Sequence, residues 1–175
     1  MTPASRLVVA TRISLVLVLA LTFQLAVASR IEVFGVQGDA MLLVAVCAGL
    51  AAGPDRGAVV GFAAGTAFDL LLQSPFGLSA LTYALVAYLA GSLQDSVLRA
   101  AWWIPVSTAA AASVLGVILY GVFGTVVGEE LLAPSLLRIA LIVGVLNAAA
   151  APLALRLVRW ATGTSDRARP RAMMR

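Results

Sequence analysis

A bundle of six membrane-spanning helices is the fold this sequence predicts, and three observations predict it. Of its 175 residues, 62% are hydrophobic and only 11% are charged, whereas a soluble domain carries about a quarter charged residues. Six apolar stretches, most of them near the roughly 20 residues that cross a bilayer, alternate with short junctions rich in Gly, Pro and charge. If every stretch crosses, ten of the twelve arginines fall on the side of the termini, and only Arg30 and Arg138 on the other. That asymmetry predicts an all-α, multi-pass protein of the plasma membrane with both termini in the cytoplasm. Residues 1–161 read as one transmembrane domain, and 162–175 as a short, basic, disordered cytoplasmic tail.

Segment one runs from about Leu7 to Ala28. Arg6, Arg12 and the small residues Ala26-Val27-Ala28 give it some look of a signal peptide. Its apolar run is longer than a usual signal core and further spans follow, so it reads as a retained span, with Arg12 snorkelling back to the headgroups. Segment two starts at Val36 or Asp39 and ends at Gly53, with Asp39 as a helix cap. From Met41 to Gly53 it would be only about 20 Å long, so a start near Val36 suits a span better. Gly53-Pro54-Asp55-Arg56-Gly57 is a turn.

Segment three spans Gly57 to Gln73 and segment four Leu78 to Gln94, joined by a tight turn at Ser74-Pro75-Phe76-Gly77. Segment five begins at the interfacial pair Trp102-Trp103, carries Pro105 in its first turn, and continues to about Val127. A loop with Glu129, Glu130 and Pro134 leads to segment six, from about Ser135 to Trp160, which Pro152 is expected to kink.

Composition also excludes chemistry. There is no histidine, and the single cysteine, Cys47, lies in an apolar run and reads as a small buried hydrophobe. A disulfide within the chain and most zinc arrangements are thereby removed. No Ser/His pair, HExxH, paired intramembrane aspartates or phosphate-cradling loop occurs. Neither an enzyme nor a cofactor nor a metal is expected. The net charge of +4 comes from arginines at the ends of apolar segments, which suits anionic membrane lipids rather than nucleic acid.

The informative residues lie between Gly57 and Gly91. Gly57, Gly61 and Gly65 recur every four residues, with Asp69 in the same register. Such a row drifts slowly around a helix and makes an inclined groove in which a second helix can approach backbone to backbone. Its occupant is either another helix of this bundle or a helix of a partner. An ionised carboxylate at depth is costly, so Asp69 must face the bundle and find partners. One arrangement pairs it with Arg138, which lies at matching depth in segment six. The other leaves Arg138 snorkelling outward and gives Asp69 hydroxyl partners such as Ser79 or Thr82. Asn147, near the middle of segment six, reads as an interhelical hydrogen bonder. Tyr83 and Tyr88 are five residues apart, about 140° around a helix, and cannot share a face.

The run Gly57, Gly61-Phe62, Gly65, Asp69-Leu70, Ser74-Pro75, Gly77-Leu78, Ala80-Leu81, Tyr83, Tyr88 and Gly91 resembles the rod shape-determining protein MreD family of bacteria. The resemblance is good over about 35 residues and elsewhere extends to hydropathy and order only. It implies a scaffold of the cell-elongation complex, active in peptidoglycan synthesis and cell shape. In that role it would sit beside an MreC-like protein, with RodA and a class B penicillin-binding protein as further partners and MreB filaments reached indirectly. The helical fold of that family is similar to the S components of energy-coupling-factor vitamin transporters. The alternative function is therefore a substrate-binding importer subunit. Such a subunit needs a polar, aromatic-lined pocket open to the outside, whereas a scaffold needs only a groove.

Overall fold

The computed structural model describes residues 3–26, 30, 32–70, 77–94, 103–128 and 135–163. Among these there are six helices: α1 (Pro3–Ala26), α2 (Ala40–Ala52), α3 (Pro54–Asp69), α4 (Leu78–Ser92), α5 (Trp103–Val126) and α6 (Leu136–Thr162). A two-residue antiparallel ladder, β1 (Glu32–Val33) with β2 (Val36–Gln37), precedes α2. Phe34 and Gly35 at its tip both have positive φ, 54° and 77°, as a tight right-twisting hairpin turn requires. Segment two therefore does not begin at Val36, which is committed to the hairpin.

α2 is the hub. Met41 to Ala51 are buried without interruption, and α1, α3, α4, α5 and α6 all pack against it. The sequence AMLLVAVCAGLAA offers no polar stripe to turn toward a solvent, and a helix apolar all round is buried. A helix wrapped by protein has no need to match the bilayer thickness, which is why its 13 residues suffice. Asp39 caps it by accepting a hydrogen bond from the Leu42 N–H at 2.8 Å. Gly53 ends it with φ +91°, a conformation open to glycine. Pro54 then starts α3 at a position where a missing N–H costs nothing.

The six expected spans thus divide into two kinds. Leu7–Ala26, Trp103–Val126 and Leu136–Thr162 are long and apolar enough to cross a membrane. Ala40–Ala52 and Leu78–Ser92 are shorter apolar helices, and α3 carries Asp55, Arg56 and Asp69 in its 16 residues. α3 ends at Asp69, earlier than the expected Gln73. α6 continues through Pro152 to Thr162. The expected Ser74-Pro75-Phe76 turn, the junction 95–99, Trp102, the Glu129-Glu130 loop with Pro134, and the tail beyond Gly163 lie outside the described residues.

Candidate functional site

α3 and α4 run antiparallel at backbone contact. A Cβ placed on Gly61 would come within 2.5 Å of the Tyr83 carbonyl oxygen. On Gly65 it would strike the backbone of Ser79 and Ala80, and on Gly57 the backbone of Gly49 in α2. The groove in which a helix can seat is therefore filled by helices of this chain, α4 along most of its length and α2 at Gly57. Two further glycines complete the seam. Gly49 of α2 abuts the Ala87 carbonyl, and Gly91 of α4 abuts Pro54. Small residues at such crossings let two backbones meet, and in lipid the resulting dispersion contacts drive association.

Asp69 ties the end of α3 to the start of α4, where the chain passes from one helix to the next. Its carboxylate, fully buried, accepts hydrogen bonds from the backbone N–H groups of Gly77 at 3.0 Å, Ser79 at 3.2 Å and Ala80 at 3.2 Å. These are first-turn donors of α4 that have no partner inside their own helix. Carboxylate and helix N-terminus also attract through the helix dipole. Gly77, which supplies one of these N–H groups, has a left-handed φ of +97°, a backbone state that a side chain would oppose.

The anticipated partners are elsewhere. The Arg138 guanidinium lies over the Phe34 ring of the hairpin, 5.9 Å from its centroid, a cation–π distance. Among the described residues no ion pair joins it to Asp69. The Thr82 hydroxyl donates to the Leu78 carbonyl in its own helix. The Ser79 hydroxyl is buried and has no hydrogen-bond partner among the described residues, although the backbone N–H of the same residue serves Asp69. Asn147 donates to the Ser113 hydroxyl at 3.0 Å and ties α6 to α5. Arg12 lies over Trp160, 5.0 Å from the ring centroid. Cys47 is fully buried in the core.

A second polar centre sits at the same end of the bundle. Tyr83, 2% exposed, donates its hydroxyl to the second carboxylate oxygen of Asp39, while Tyr88 on another face is half exposed. Gln24 of α1 brackets Asp39. Its amide donates to the Gly38 carbonyl at 2.9 Å and accepts from the Ala40 N–H at 2.7 Å. Beside this cluster opens a cleft of about 210 Å³, lined by Asp39, Leu42, Phe68, Tyr83, Gly116, Val117 and Tyr120. Sequence reasoning ranked a cap above a functional role for Asp39 and passed over Gln24 and Tyr120. The available signal was a glutamine inside an otherwise apolar stretch, Phe23 to Ala28, whose amide had to find buried partners.

Residues 5–147 match the model of the rod shape-determining protein MreD family, from α1 to Asn147 of α6. The chain belongs to the MreD family. No curated protein and no solved structure matches it significantly. The glycine seam, Asp69 and the Asp39–Tyr83 cluster all fall within the MreD match, and the end of α6 with Pro152 and Arg159 falls outside it. The role that comes with the family is determination of rod shape, a structural task.

Proposed function

We propose that this chain is a multi-pass scaffold of the cell-elongation complex, embedded in the bacterial plasma membrane by all six helices with both termini cytoplasmic. It holds an MreC-like protein and, through it, links RodA, a class B penicillin-binding protein and MreB filaments. Family membership carries this reading. A supporting physical argument is that a scaffold must keep its shape under load. The α2–α3–α4 unit, joined backbone to backbone and closed by Asp69, is suited to that.

Because the glycine seam is occupied from within, partner helices meet an outward face. Candidates are the exposed apolar residues of α1, such as Leu15, Val18 and Leu19, and of α6, such as Leu137, Leu141 and Val145. The arginine distribution supports the cytoplasmic termini. The cleft beside Asp39 favours the second reading, a substrate-binding importer subunit. It is open and bounded largely by apolar side chains, which is less than a vitamin site asks for.

Purification from native membranes with identification of bound proteins and small molecules tests both. An MreC-like protein in the purified material is expected. A stoichiometric vitamin without that protein would replace the scaffold with the importer subunit.

A further inference from the structure

We infer that the cleft between α2, α3, α4 and α5 binds an ammonium group carried by an amphiphile, with Asp39 as its counter-ion. The cleft combines one carboxylate with three aromatic walls, Phe68, Tyr83 and Tyr120. Asp39 receives the Leu42 N–H and the Tyr83 hydroxyl, both of which orient its oxygens. No arginine neutralises it among the described residues. A carboxyl held beside apolar surface either keeps its proton or is drawn to a positive group, so an ammonium in the cleft gains the charge pair that the protein itself does not supply there. Aromatic faces around the same space add attraction for an organic cation and none for an anion. The remaining walls, Leu42, Gly116 and Val117, suit methylene groups.

Size and position restrict the ligand further. About 210 Å³ is the volume of about seven waters, enough for an aminoethyl headgroup and a few adjoining carbons. The cleft lies at the bundle end where α2 and α4 begin and α5 ends. If the six helices span the membrane with both termini cytoplasmic, that end of the bundle is the outer one. An ethanolamine-headed lipid and a free alkylamine share the required chemistry. The inference stands apart from the scaffold role, since an importer subunit or a scaffold could each carry such a site.

The test uses the full chain, stripped of lipid in detergent. Octylammonium, short-chain phosphatidylethanolamine and short-chain phosphatidylglycerol are titrated separately, with bound copies counted by native mass spectrometry. At least one ammonium probe is expected to bind as a single copy, and phosphatidylglycerol is not. Binding of octylammonium equal to that of the phospholipid identifies a free amine as sufficient; binding of the phospholipid alone identifies a lipid headgroup. Asp39→Asn keeps a capping side chain and is expected to weaken binding about tenfold or more. Val117→Trp is expected to abolish it by filling the cleft. Equal retention of phosphatidylglycerol, undiminished binding by both variants, or no binding of either ammonium probe overturns the inference. If either variant fails to fold by circular dichroism, the contrast between the ammonium probes and phosphatidylglycerol on the unaltered chain decides.

Discussion

The α2–α3–α4 unit and the α5–α6 pair are both antiparallel helix packings with glycines at the contact, yet they are built differently. In the first, a Cβ on Gly49, Gly57, Gly61, Gly65 or Gly91 would meet backbone atoms. In the second, a Cβ on Gly121 would meet only the tip of Leu136, while one on Gly144 would meet a Val114 methyl at 2.6 Å and the Ala110 carbonyl oxygen at 3.2 Å, so the adjustable contact is the one at Gly121. Backbone cannot retreat without moving a whole helix, whereas a leucine tip can rotate. Polar closure differs in the same way. Asp69 gathers three main-chain amides of the next helix, while between α5 and α6 the Asn147 amide donates to the Ser113 hydroxyl, side chain to side chain. One region is a fixed frame; the other is joined by parts that can adjust.

Substitutions should separate the two regions in graded steps. The largest effect is expected for Gly61→Leu with Gly65→Leu, which forces α3 away from α4 at a cost of about 3 kcal/mol or more. Loss of the monodisperse peak in detergent gel filtration, with loss of rod shape in cells carrying the variant, would register it. Retention of both would mean that the seam is softer than its contacts. Next comes Asp69→Ala, which strands buried amides and should cost about 2–3 kcal/mol. Asp69→Asn, keeping one acceptor oxygen, should lose visibly less; thermal unfolding of the two variants side by side checks the order.

Smaller effects belong to the adjustable region. Gly121→Ala should cost under about 1 kcal/mol, because Leu136 has room to change rotamer. A Tm lowered as far as by Gly61→Ala would erase the distinction between frame and adjustable pair. The Asn147–Ser113 bond should contribute about 0.6 kcal/mol in a double-mutant cycle with alanines, as interhelical side-chain bonds in membranes do.

Particular residues mark how far the sequence could be read. The glycine row and Asp69 were legible because lipid makes a bare backbone stripe and a buried charge expensive, so each needs a reason. Their partners were not. Asp69 is satisfied by main-chain amides, which every residue but proline carries and which leave no mark in a sequence. Arg138 seemed a match in depth, but depth along a helix says nothing of azimuth, and its side chain lies on the hairpin ring of Phe34. Asp39 was legible as a cap because capping is local. Its bond to Tyr83, 44 residues on, depends on α2 and α4 lying side by side.

Composition and pattern alone determined that the chain is helical, that apolar stretches follow one another with short breaks, and where most helices begin and end. Those properties follow from hydropathy and from the local chemistry of Gly, Pro and caps, which act within a few residues. Only the tertiary structure decided that the short second helix is the centre, that the glycine seam is closed from within, and that Asp39, Tyr83 and Tyr120 border one cleft. Each is a matter of which helix faces which, and in an apolar sequence nearly every face is equally able to be buried.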